Sequence, residues 1–382
     1  MSRTIAMVKG TIWAPERKQY DDPLTGVQVH QLTDYRGHSR HLHFTQNGLY
    51  DEGRRLLFVS DRDNSANLFS IHLVTGEMTQ LTTYTNNDEL GVCLTPDGQQ
   101  ALLQKEDTIS LLDLTSFRER VKYRCPEGFR LGNISCTADG ESVLTCIWRN
   151  RWSGMDYEDR NLPTSEASPL LSQIITIDIQ TGRSEIIHEE PSVITHVHAS
   201  PVHPWLLTFC HEDPWSQVDH RIWGMDLRTG EVWPIHSRVE PGEAVEGEHF
   251  LNDGEMIGYH GIRSDGTSFW GSIRYDNSNR QEQPIPFAIW HAYLDSQQQT
   301  VTDGQAEVQT LSLWRRSSNG AYDGPRILCE LKCSFHSNKV HSHPIITPDG
   351  RRLFYTSDRT GYANIYMVEL PDDITTLPLW QP

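Results

Sequence analysis

The sequence predicts an all-β fold, a seven-bladed β-propeller whose ring is closed by an N-terminal strand that completes the last blade. A strand–turn–strand unit recurs at a regular period, and the last copy stops one strand short while a matching strand stands near the N-terminus. Histidines also gather just before the turns that open the units.

The first clear unit runs from Asp51 through Arg55-Leu56-Leu57-Phe58-Val59-Ser60-Asp61 and Asn67-Leu68-Phe69 to Gln80-Leu81-Thr82. Apolar runs bounded by Asp, Asn and Gly clusters read as strand, Asp-rich turn, strand, Thr75-Gly76 turn and strand. Its echo is Asp349-Gly350-Arg351-Arg352-Leu353-Phe354-Tyr355-Thr356-Ser357-Asp358, and Asp61 and Asp358 lie 297 residues apart. Weaker copies of the opening turn stand at Thr95-Pro96-Asp97-Gly98, Thr137-Ala138-Asp139-Gly140, Ser200-Pro201 and Leu251-Asn252-Asp253-Gly254, with another needed near Tyr293-Leu294-Asp295-Ser296. Six intervals of about 49.5 residues match the period of four-stranded blades. The last unit ends at Leu370 after its third strand, and Leu24-Thr25-Gly26 through Leu32-Thr33 repeats the Thr-Gly turn and outer strand of the first unit. The expected division is an N-terminal extension over 1–23, a closing strand over 24–33, blades over 34–370 and a tail over 371–382. Tying both ends into one blade leaves no bare edge. A pair of separate β-sandwiches is the alternative.

The chain has 382 residues, 37% of them hydrophobic, and a formal net charge of −18. That charge argues against nucleic acid, which demands a basic footprint. An anionic ligand stays open, because screening over roughly 8 Å lets local arginines and lysines decide binding. No apolar window is long enough to span a membrane, and Met1–Tyr20 does not resemble a secretory signal. Seven cysteines are scattered; Cys93, Cys136, Cys146 and Cys210, in strand-like runs, read as buried small hydrophobes in a reducing cytoplasm, and Cys329 and Cys333, the one close pair, are a weak zinc signal. Oligomeric state is left open.

In a propeller the first strand of each blade lines the central channel. His38, His41 and His43, then His196 and His198, His249, His291, and His341 and His343 all precede blade-opening turns. On a strand, His341 and His343 project to one side and can grip one ion together, although two such imidazoles can also simply stack. A ring of imidazoles facing one funnel suits metal binding and proton transfer.

Cys210-His211-Glu212-Asp213-Pro214, followed by Val218-Asp219-His220-Arg221-Ile222-Trp223, together with Val340-His341-Ser342-His343-Pro344, resembles the oligogalacturonate lyases, polysaccharide lyase family 22. The first-blade run Leu56–Asp61 resembles them too, so the likeness covers nearly the whole chain. The resemblance implies a manganese-like divalent metal in the channel and cleavage of short galacturonides by β-elimination. It places the paired metal histidines on His341 and His343, a third on His291, and a glutamine ligand on the shorter Asn338. The catalytic arginine falls on Arg221. The base belongs to a His-Glu-aromatic segment, here Gly242 to Phe250, whose histidine column falls on Gly247 without a gap. His249, two residues on and on the same strand face, replaces that base, or a one-residue shift restores the alignment, or the base is lost. His211 and His198 are further candidate substrate contacts.

These residue types suit the reaction on physical grounds. Removing the C5 proton of a uronate builds charge beside a carboxylate, which a divalent cation stabilises. A neutral imidazole accepts a proton near neutral pH, and an arginine clamps a carboxylate through two parallel hydrogen bonds. The competing readings are a propeller that binds a partner or sugar without catalysis, and a lyase or two-carboxylate hydrolase acting on another uronate oligosaccharide. A serine hydrolase is disfavoured by the lack of a Gly-x-Ser-x-Gly elbow.

Overall fold

The structure is a computed structural model that describes residues 8–149, 171–212, 218, 220–304, 308–337 and 339–381. The described residues form seven antiparallel sheets, ordered along the chain as the blades of a propeller. The blade-opening turns explain the repeat. In the second blade Thr95 Oγ1 donates to Asp97 Oδ1 (2.7 Å) and accepts from Gln100 N (3.1 Å). Thr137 and Asp139 repeat the pair in the third blade, and Thr347 and Asp349 in the seventh. Each hydroxyl and carboxylate satisfies backbone groups that a tight turn would otherwise orphan. Gly76, at φ +75°, takes the left-handed position that the Thr-Gly turn requires.

Closure follows the sequence expectation. Gln28–Gln31 pairs with Asn364–Glu369 in the register Val29↔Val368, His30↔Met367 and Gln31↔Tyr366. The contacts copy the first blade. Thr33 Oγ1 donates to Asn364 Oδ1 (3.0 Å) and accepts from Ile365 N (3.0 Å), as Thr82 Oγ1 does with Asn67 Oδ1 (2.9 Å) and Leu68 N (2.8 Å). Residues before the closing strand are also built in. Ile12–Trp13 adds to the outer edge of the first blade, and Lys18–Asp21 adds a fifth strand to the seventh. The buried Arg62 guanidinium stacks on Trp13 (4.8 Å) and pairs with Glu16 (3.1 Å), while Arg359 of the equivalent turn covers Tyr20 (4.9 Å). The tail folds back too: Trp380 N donates to Pro325 O (2.9 Å).

The apolar faces of neighbouring blades form the core. Leu57, Val59 and Leu68 of the first blade meet Ala101, Leu103 and Leu112 of the second, and the largest cluster joins the sixth, seventh and first blades. This packing fixes the inner strands: Ser39–His41, Val197–Ala199, Ala244–Phe250, Ile289–Leu294 and Ile345–Ile346 carry or adjoin the channel histidines.

Candidate metal centre and active site

His291, His341 and His343 come together, with ligand nitrogens within 4.8 Å of one another. Strand alternation is not the cause. The last blade's inner strand spans only Ile345–Ile346, and residues 341–344 are irregular. His343 adopts φ +38°, rare for a non-glycine residue and more so before Pro344, where extended backbone is favoured. Two bonds hold that conformation: His41 Nε2 donates to His343 O (2.7 Å) and Thr356 N to Ser342 O (2.9 Å). Burial, with His291 adding, pushes the pKa of His341 down to about 4, and that of His343 falls well below the usual value for the same reasons. Neutral imidazoles are what a metal requires.

Asp303, which the sequence reading missed, organises this centre. It is fully buried on Gln299–Gly304. Its Oδ1 accepts from Trp290 N (2.9 Å) and His291 N (2.6 Å); its Oδ2 accepts from His291 Nδ1 (2.6 Å) and from Ser342 Oγ. The bond to Nδ1 fixes the tautomer and leaves His291 Nε2 with its lone pair free, the outer support that metal-binding histidines commonly have. The donors are backbone groups at an irregularity between Ile289 and Ala292 and a serine 39 residues away, so no local spacing announces them. The set of three imidazoles, one locked by a carboxylate, fits a divalent transition metal. Asn338 lies outside the described residues.

A second group lies on the fourth and fifth blades. Arg221 donates to both oxygens of Glu212 (2.8 and 2.9 Å) and through Nε to Glu248 (3.1 Å). Its fork is thus engaged by carboxylates of the chain. His196 approaches Glu212 (3.6 Å) and Glu248 (3.9 Å). Burial lowers its pKa, but Cys210, Glu248 and Glu212 outweigh that and hold it up to about 10. His198, two residues on, is pushed down to about 3 by burial, reinforced by the His196 charge. His211 stands further out, bonded to Glu190 (2.5 Å) and packed on Trp223.

His249 is 2% exposed and its ring stacks on Tyr293 at 4.8 Å. Backbone groups occupy both nitrogens: Nδ1 bonds Gly247 O (3.0 Å) and Nε2 meets Leu294 N and O (3.2 Å). The sequence reading of His249 as base therefore meets an imidazole already committed on both sides. Gly247, at φ +71°, sits in a bulge of this strand, and a Cβ there would lie 2.2 Å from Cε1 and 2.4 Å from Nδ1 of His260. The His260 ring, reaching over from Met256–Ile262, thus fills the space that a side chain at 247 would enter. It is buried, and neither nitrogen has a hydrogen-bond partner. His291 and Asp303 are near enough for their charges to act on it.

A cavity of about 700 Å³ opens beside the histidine centre, lined by His341 and His343 together with Arg40, His43, His196 and Gln104. His43 Nδ1 bonds Thr45 Oγ1 (2.8 Å), and its ring lies 5.0 Å from that of His343. All seven cysteines are buried and unbridged, and among the described residues Cys329 and Cys333 join no metal-binding group. No helix of the described residues is long and apolar enough to cross a membrane.

Comparison with known proteins gives the family. A curated oligogalacturonate lyase of Dickeya dadantii is 23% identical over 392 residues, covering 96% of this chain and all of that protein. An oligogalacturonide lyase of Pectobacterium atrosepticum is 24% identical, covering 93% and 96%. Among solved structures, an oligogalacturonate lyase in complex with manganese superposes with a TM-score of 0.84 at 23% identity, covering 97% of this chain and 100% of the other. An oligogalacturonate lyase from Vibrio parahaemolyticus reaches 0.82 at 22% identity, covering 96% and 99%. At these identities the superpositions speak for the fold. The family model described as oligogalacturonate lyase matches residues 7–297, about three quarters of the chain, and the protein belongs to the oligogalacturonate lyase family.

Proposed function

We propose that this chain is a metal-dependent lyase that cleaves short oligogalacturonides by β-elimination, leaving an unsaturated uronate product. The observation that carries the reading is the triad His291, His341 and His343 with Asp303 behind it, which would hold a divalent ion of the kind in the manganese-bound relative. When bound, that ion supplies a Lewis acid to the substrate carboxylate. His291 is oriented by Asp303 through Nδ1, and the bonds to His343 O and Ser342 O keep the triad preorganised.

The C5 proton passes to His260. Neither nitrogen of this buried imidazole is hydrogen-bonded, and the Glu246 carboxylate stands 3.7 Å from Nε2, beyond bonding distance, so the ring keeps its capacity for a substrate proton. Its ring also takes the place of the side chain that the family's base column would put at Gly247. His249 then holds the strand, through Gly247 O and Leu294, on which that opening is built. Arg221, its fork filled by Glu212, contributes fixed positive charge rather than a free clamp. Seven unbridged cysteines support a reducing, cytoplasmic setting.

The test is the double variant His341→Ala with His343→Ala, scored by elemental analysis for manganese and by near-ultraviolet absorbance of product from digalacturonate. Stoichiometric metal and unsaturated product in the parent protein, both lost in the variant, are expected. Metal retained by the variant would overturn the assignment of the triad. A saturated product would replace elimination by hydrolysis.

A further inference from the structure

Arg40 stands at the middle of the innermost strand of the first blade, Ser39–His41, opposite Val59. The flanking side chains are committed to the fold: Ser39 Oγ donates to Ser60 Oγ (2.9 Å), and His41, at the wall of the same cavity, is fixed between Thr356 and His343. Arg40 lines the 700 Å³ cavity that also contains His341 and His343. Other arginines packed into the fold are held by carboxylates: Arg62 by Glu16, Arg221 by Glu212 and Glu248, Arg263 by Glu243 and Glu282, Arg359 by Glu330. Among the described residues Arg40 makes no hydrogen bond or ion pair; Glu89 and Asp61 act on it only through space. Burial accordingly pulls its pKa below the usual arginine value. A half-buried guanidinium with no ion-paired carboxylate is left under-compensated, and a ligand oxyanion relieves that. The planar fork suits a carboxylate in particular. Asp88, Glu89 and Glu106 face the same cavity from the second blade, which leaves Arg40 as its uncommitted cation.

We propose that Arg40 binds a uronate carboxylate of the oligosaccharide other than the one at the histidine triad, and so makes the site select free acids over methyl esters. This rests on the lyase reading. The measurement is calorimetric affinity of the manganese-loaded protein for digalacturonate and for its dimethyl ester, in parent, Arg40→Gln and Arg40→Lys forms, with product formation followed on the same samples. A carboxylate held by charge-assisted bonds corresponds to about 10- to 100-fold in affinity. Arg40→Gln should lose that factor for the acid, change the ester less than about 2-fold, and keep its manganese; Arg40→Lys should fall between. Equal losses for acid and ester, or no loss for the acid, overturn the proposal. Digalacturonate binding without unsaturated product in the parent would sink the lyase reading while the Arg40 comparison still decides this one. No digalacturonate binding by the parent would sink both.

Discussion

The two neighbouring imidazoles of the fifth blade carry opposite signatures. His249 is bonded at both nitrogens and stacked, whereas His260 is buried and unbonded at both. We predict that His260→Gln lowers kcat by about 100-fold or more, in the range of general-base catalysis, with manganese content and melting temperature close to the parent. His249→Gln should instead act on stability, by about 1–3 kcal/mol for the lost stacking and buried bonds. Steady-state turnover of digalacturonate and urea unfolding of the two variants separate the roles; a fully active His260→Gln would end the assignment. The sequence made His249 visible because it lies on a candidate inner strand. The overlap of His260 with the space above Gly247 depends on the pairing Glu246↔His260 across two strands and on a bulge, and neither is encoded in local spacing.

At the level of elements, the metal centre depends on the join between the sixth and seventh blades. Asp303 takes four donors from three residues, three of the donors from the irregular stretch of Ile289–Leu294 and one from Ser342 between the paired histidines. In Asp303→Asn an amide nitrogen replaces one oxygen, so either His291 Nδ1 and Ser342 Oγ or the backbone N–H groups of Trp290 and His291 face a donor where they had an acceptor. Supporting residues of this kind are worth about 10- to 100-fold in metal affinity. We expect manganese affinity of Asp303→Asn, measured by competition with a chelating dye, to fall by that factor; unchanged affinity would show that His291 is oriented by other means. The paired histidines were legible as a motif ahead of a blade turn, but by the wrong geometry. Alternation along a strand would have aligned them, whereas an irregular segment with His343 at φ +38° does so here. That conformation comes from His41 and Thr356, more than 300 and 12 residues away in the chain, where no local pattern reaches.

Over the whole molecule, period and closure were readable because each blade repeats the same turn and outer-strand contacts, down to the Thr33–Asn364 and Thr82–Asn67 pairs. The lacing of Ile12–Trp13 and Lys18–Asp21 was not, since a strand of two residues and a largely polar one of four carry no periodicity. The channel histidines also set how the fold responds to pH. His198, lowered to about 3 by burial, binds its proton more readily when unfolded, so its contribution is intact above pH about 6.5 and is lost as pH falls toward 3. His196 works in the opposite sense. Held up to about 10 despite burial, through Cys210, Glu248 and Glu212, it stabilises fully below about 6.5 and loses that contribution as pH rises toward 10. Urea midpoints of the metal-free protein should therefore peak near pH 6.5 and decline on both sides; a midpoint rising steadily from pH 6.5 to 9 would rule out a charged His196.

The closing register joins Val29 to Val368, 339 residues apart. During synthesis the closing strand leaves the ribosome long before its partner. At roughly 5–20 residues per second that interval is about 20 to 70 s. For that time the ring is an open arc with a free strand edge at each end, and among the described residues the hairpin of Lys18–Asp21 with Gln28–Gln31 is the local pairing available to the waiting strand. Premature termination anywhere before Asn364 would leave every earlier blade complete in sequence and the ring without its clasp.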